Sequence, residues 1–158
     1  MFNFGTIGAY KQVRNNPRCK ATAETKNGQV VVLDEVNKTA SFPADAAAAK
    51  VENLYIVNNA DDKPETWTTK DFVVKEGEFL RNFRLADLVD MPVLLSHDVI
   101  STTYTDVAAG DILVAEAATG NWVKADGTTI VATDYPITLE VVSKNTFGDQ
   151  GVEAIVRA

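Results

Sequence analysis

Apolar residues in this chain gather in short runs separated by turn residues, and no run keeps a helical spacing for long. The clearest is Gly110-Asp-Ile-Leu-Val-Ala-Glu116, followed by Thr119-Gly120-Asn121 and the return segment Trp122-Val123-Lys124. Gly and Asn tolerate positive φ, so this spacing predicts a β-hairpin that reverses at 119–121. A second hairpin is expected upstream. Asn27-Gly28 opens the apolar strand 29–33, residues 34–38 turn, and Thr39-Ala-Ser-Phe42 returns.

The remaining pattern is read in order. A short strand is expected near residues 7–13. Pro43-Ala-Asp-Ala-Ala-Ala-Ala-Lys50 predicts a short helix with Pro43 at its first position. Asn53-Leu-Tyr-Ile-Val-Asn58 is rich in strand formers. Residues 58–70 read as a long exposed loop, acidic and Pro-containing. Strands at 71–75 and 78–84 flank the turn Glu76-Gly77, residues 85–90 have spacing for one helical turn, and 93–96 is a buried strand. Residues 98–109 connect it to the central hairpin. Thr128-Thr-Ile-Val131, the alternating run 137–142, a turn at 145–151 and a strand at 152–157 complete the chain.

Two stretches rhyme. Asn27-Gly-Gln-Val-Val-Val-Leu-Asp34 resembles Ala109-Gly-Asp-Ile-Leu-Val-Ala-Glu116, each entering a hairpin, and 53–58 corresponds loosely to 137–142. Short strands with frequent turn chemistry predict a mainly β fold. The expectation is a small β-barrel or β-sandwich with short helical insertions.

Charge changes this picture at one end. The net charge of −7 is uneven: residues 1–20 contain Lys11, Arg14, Arg18 and Lys20 and no acid, so the rest of the chain carries −11. This predicts an extended basic N-terminal arm over 1–20 and a single β-rich domain over 21–158. Such an acidic body argues against nucleic-acid binding, which needs clustered cations. No apolar run is long enough for a membrane span, and no export signal is expected at the N-terminus. The sequon Asn37-Lys38-Thr39 therefore reads as turn residues.

Candidate chemistry is sparse. One cysteine, Cys19, excludes an internal disulfide and a Cys-based zinc cluster, and it reads as a small residue beside a turn. Ser96-His97-Asp98 holds three triad residue types, but neighbours on a strand point to opposite faces and cannot converge. There is no second histidine for a His-based metal site. Asp61 and Asp62 lack the alternating ligands and glycine of a calcium loop. Asp87 with Asp90, and Glu76 with Glu78, read as solvated surface acids. Neither a phosphate loop nor a nucleophile elbow is present. The central strand is also similar to that entering the hairpin of lipoyl and biotinyl carriers, yet the tip Ala118-Thr119-Gly120-Asn121 has no acceptor lysine. The expectation is a protein that is not an enzyme and uses no metal or cofactor.

The order of features resembles the small β-rich head decoration (auxiliary capsid) proteins of tailed bacteriophages. The likeness covers about residues 70–158: Phe72-Val-Val-Lys-Glu-Gly-Glu-Phe79, the Gly-Asp-Ile-Leu-Val strand, the Thr-Gly-Asn-Trp hairpin, and the strands 137–142 and 152–157. It implies a virion protein on the capsid surface, made in the host bacterial cytoplasm. Its partner would be the major capsid protein, and it would act as a symmetric homo-oligomer such as a trimer. With the arm reading it implies capsid contacts through Phe2, Phe4, Ile7, Tyr10, Lys11, Arg14, Arg18 and Lys20. Two alternatives are a head–tail or tail-tube component, and a carbohydrate-binding module or carboxylate-dependent polysaccharide hydrolase stacking glycans on Trp67, Tyr104 and Trp122.

Overall fold

Runs too short for helices, yet rich in β-branched residues, pair into strands in the computed structural model, which describes residues 2–4, 16–60, 72–145 and 150–158. The strands are β1 (Phe2–Phe4), β2 (Lys20–Ala21), β3 (Thr25–Lys26), β4 (Val30–Asp34), β5 (Thr39–Ser41), β6 (Tyr55–Val57) and β7 (Val73–Val74). They continue as β8 (Asn82–Arg84), β9 (Pro92–Ser96), β10 (Ile112–Ala115), β11 (Trp122–Lys124), β12 (Thr138–Lys144) and β13 (Gly151–Arg157). One sheet has the order β1-β9-β13-β12-β10-β11, a second β2-β5-β4-β6-β8, and β3 pairs with β7 as a separate ribbon. The fold is mainly β and sandwich-like.

The two sheets face each other across the main core. The six-stranded sheet contributes Leu95, Val152, Ala154, Leu139, Leu113 and Trp122, and the five-stranded sheet contributes Val30, Ile56 and Phe83. Period-two alternation sends Val31 and Val57 to the other face of the smaller sheet. There they join Cys19, Ala21, Ala40, Phe72, Val74 and Leu80 in a second core. A strand buried on both faces has no polar face to show, which explains the unbroken apolar run in β4. Residues 16–21 run back along 78–82: the Leu80 N–H donates to the Cys19 carbonyl (3.0 Å) and the Ala21 N–H to the Glu78 carbonyl (2.9 Å). The smaller sheet therefore curls around the second core without closing into a barrel.

The rhyme in the sequence is a repeat of topology. In one sheet the order is β5-β4-β6-β8, and in the other β11-β10-β12-β13. The hairpins share a register: Val32 faces Ser41 and Leu33 faces Ala40, and one constant offset converts these into Val114 facing Val123 and Ala115 facing Trp122. Each returning strand also has a parallel neighbour at the same place. Ala21 pairs with Ala40, and Ile100 bridges to Trp122. A short helical element follows each hairpin, Ala46–Ala49 (α1) in the first and the 3₁₀ turn Ala132–Asp134 in the second. Lys50 and Asp134 join these two elements at 2.8 Å.

Several expectations are corrected. The helix covers only Ala46–Ala49, because the Asp45 carboxylate caps it by accepting from the Ala48 N–H at 2.8 Å. Pro43 thus precedes the helix, and its carbonyl accepts from the Ala118 N–H. Of the segments flanking Glu76-Gly77, only Val73–Val74 and Asn82–Arg84 are strands, and β7 pairs with β3 while β8 pairs with β6. Residues 128–131, left without an element by the sequence pattern, follow a turn held by Asp126. The strand expected near 7–13 and most of the loop at 58–70 lie outside the described residues.

Residues 1–20 differ from a detached arm at both ends. β1 is hydrogen-bonded into the six-stranded sheet beside β9, Phe2 is 2% exposed in the main core, and Cys19 is fully buried in the second. Phe2 is therefore a core residue and not available to a capsid, because its ring is already desolvated inside the sandwich.

Candidate functional site

The residues singled out from the sequence fall into three groups. Ser96, His97 and Asp98 stand where β9 ends and a 3₁₀ turn, His97–Val99, begins. This change of backbone lets the Ser96 hydroxyl reach the Asp98 carboxylate, which strict strand alternation would not allow. Asp98 is also paired with Lys26 at 3.2 Å. Burial alone would raise its pKa, but the Ser96 hydroxyl and the surrounding positive charge, Lys26 included, outweigh burial and leave it below the usual carboxylate value. The His97 ring turns away from both. Its Nδ1 lies 3.0 Å from the Gln150 carbonyl and its face stands edge-on to Tyr104, with centroids 6.2 Å apart. Serine and aspartate meet here without the histidine between them, so no triad relay forms.

The aromatic group divides. Trp122 is fully buried, and its indole Nε1–H donates to the Gly28 carbonyl at 2.8 Å, from one sheet to the start of the other. It cannot be a stacking surface for a glycan, since no face is open. Gln29 extends the seam by donating through Nε2 to the Thr119 carbonyl and to Asn121 Oδ1, both at 2.9 Å. Tyr104 is held by its hydroxyl, which donates to Asn145 Oδ1 or the Gly151 carbonyl and accepts from the Asn145 N–H. Its ring carries the Lys144 ammonium 4.3 Å from the centroid. Trp67 lies outside the described residues.

The surface acids are tied into local structure. Asp90 and Glu140 both bind Arg157, at 2.9 and 2.8 Å. Glu78 accepts from the Lys75 N–H, while Asp87 and Glu76 are exposed. Among the described residues, no three His, Cys, Asp or Glu side chains gather as a metal site would require. Burial pushes the Cys19 thiol pKa up, away from the thiolate that reactivity needs. An open groove of about 490 Å³ lies beside the C-terminus, lined by Ile112, Tyr135, Pro136, Thr138, Arg157 and Ala158. Its one cation is already neutralised by Asp90 and Glu140.

Of the N-terminal set, Phe4 lies in β1 opposite Val93. Ile7, Tyr10, Lys11 and Arg14 fall outside the described residues. Arg18 and Lys20 are exposed, and neither has a carboxylate partner among the described residues. Lys20 instead holds its ammonium 5.2 Å from the ring centroid of Phe79, which is 58% exposed and bridged to Lys20 across an antiparallel step. Phe79 did not stand out in the sequence. Within 78–84 the apolar residues Phe79, Leu80 and Phe83 follow no single alternation, so the pattern does not mark Phe79 as the exposed one. None of the protein-family models, curated proteins or solved structures compared with this chain matches it.

Proposed function

We propose that this chain is a structural, non-enzymatic virion protein. It binds the outer surface of a tailed-phage capsid and braces contacts between major capsid protein subunits, acting as a symmetric oligomer. One contrast carries this reading. The residues whose types suggest chemistry, Ser96, His97, Asp98 and Trp122, are engaged in holding strand ends and sheets together, whereas the described cations of the N-terminal segment, Arg18 and Lys20, are left exposed. That arrangement suits a rigid body that recognises a surface. The resemblance of residues 70–158 to head decoration proteins supplies the kind of surface. A ligand that binds only the assembled shell stabilises it by mass action.

The test is co-sedimentation with purified capsids, followed by cryo-electron microscopy of shells with and without the protein. Ordered added density over capsid subunits, together with a rise in the shell's melting temperature, is the expected result. Recovery of all the protein in the supernatant at saturating concentration would overturn the reading.

A further inference from the structure

We propose that the face formed by Arg18, Lys20, Phe79 and Arg81 is the recognition surface of this protein, and that its occupant is an acidic protein segment carrying an apolar side chain. The proposal deepens the capsid reading and rests on it only for the identity of the partner.

The geometry starts from the bridge between Lys20 and Phe79. Leu80 and Cys19 are hydrogen-bonded across the same pair of segments, as are Ala21 and Glu78, and all three apolar members of this set point into the second core. Alternation therefore turns positions 18, 20 and 22 of one segment, and 77, 79 and 81 of the other, to the opposite side. Those positions are Arg18, Lys20, Thr22, Gly77, Phe79 and Arg81. Three cations and one aromatic ring share this face, and no acid does, on a chain whose net charge is −7.

Lys26, Lys38, Lys50, Arg84, Lys124 and Arg157 each stand within ion-pair distance of a carboxylate. Among the described residues Arg18, Lys20, Lys75, Arg81 and Lys144 do not. Lys144 is held by the Tyr104 carbonyl and ring, and of this group Arg18, Lys20 and Arg81 are the three that gather on one face. The nearest acid in sequence, Glu78, is turned onto the Lys75 N–H. Arg81 adds a further sign: its Nε is buried and has no hydrogen-bond partner, while its guanidinium lies 5.4 Å from the Phe83 centroid. Arg84 has the same buried Nε yet still binds Glu52 through Nη2, so a buried Nε leaves the outer edge of an arginine able to take a carboxylate.

An exposed aromatic that shares its face with cations fits a partner that presents an apolar side chain together with acidic ones. A single-stranded nucleic acid would also meet a ring and cations. It needs a cationic groove that follows several phosphates, however, and three cations on an acidic body do not supply one.

The experiment uses the full chain and three fluorescent probes: a dodecapeptide alternating glutamate with leucine, the same peptide with lysine for glutamate, and oligo-dT. The glutamate–leucine peptide should bind, weaken with rising salt, and ignore the control Val142→Ser, which removes a different exposed apolar residue. Phe79→Ser, with an unchanged melting temperature, should weaken binding by about tenfold or more. Arg18→Glu should weaken it too, more at low salt than at high. Equal binding of the lysine peptide, tighter binding of oligo-dT, or indifference to both substitutions would overturn the proposal.

Co-sedimentation with capsids separates this idea from the broader one. Capsid binding that survives both substitutions removes the recognition face and keeps the decoration reading. Peptide binding without any capsid binding does the reverse.

Discussion

At the scale of single residues, one seam couples the two sheets. Trp122 Nε1 donates to Gly28, and the Gly120 carbonyl accepts from the Val30 N–H at 2.7 Å. Trp122→Phe keeps most of the apolar burial but leaves a buried carbonyl without its donor, so it should cost about 1–3 kcal/mol; Trp122→Ala should cost about 3–5 kcal/mol. Urea denaturation with tryptophan-independent detection would order the two. Gly120 gives a sharper test. Its φ is +66°, and a Cβ there would stand 2.4 Å from the Val30 carbonyl oxygen and 2.5 Å from the Phe42 ring. Gly110, at φ +91°, has nothing within 4 Å of the same atom. Gly110→Ala should therefore show only the conformational cost of about 1–2 kcal/mol, and Gly120→Ala clearly more. Equal losses in the two variants would mean that the hairpin tip does not dock on β4. The sequence made Gly120 legible as a turn residue, but its contact with Val30 joins positions remote in the chain, and no local pattern encodes that.

At the scale of elements, the hairpins and the strands 93–96, 137–142 and 152–157 were readable because turn chemistry and alternation agree with their tertiary setting. The two-residue strands β2 and β3 were not. Both are too short for a periodic signal, and they are strands only through what they pair with. The turn after β11 shows the limit of composition in a related way: Thr-Thr-Ile-Val is rich in strand formers, yet Asp126 captures it. One carboxylate oxygen accepts from the N–H groups of Thr128, Thr129 and Ile130 and from the Thr128 hydroxyl. Those bonds lower the Asp126 pKa to about 2. A depressed folded-state pKa means that its stabilisation is complete above the unfolded value, about 3.9, and is lost as pH falls through about 2. NMR titration should show the Asp126 carboxyl and the Thr129 amide shifting together in that window. A midpoint near 3.9 would show that the turn is open in solution. The Lys50–Asp134 pair makes a milder claim, since both side chains are partly exposed. A double-mutant cycle with Lys50→Met and Asp134→Asn should give a coupling of about 1 kcal/mol or less.

At the scale of the whole molecule, the N-terminal segment is where charge and burial point in different directions. Its charge, all positive over residues 1–20, reads as a separate arm. Its burial reads as part of the body, because β1 extends the six-stranded sheet, Phe2 fills the main core, and the Asn16 N–H donates to the Asn82 carbonyl at 2.8 Å. Burial decides stability, since the apolar contact of a core phenylalanine outweighs an exposed charge by several-fold. Phe2→Ala should therefore cost about 3–5 kcal/mol, and removal of residues 2–4 at least as much. Arg18→Glu with Lys20→Glu should move stability by about half a kcal/mol or less, because both side chains are exposed. Calorimetric melting of these three variants tests the division. If Phe2→Ala melts with the parent, the N-terminal strand is not part of the stable sheet and the whole segment is free to act as an arm. If the double charge reversal is the one that melts early, its cations hold the body together, and the recognition face proposed around Phe79 loses its basis.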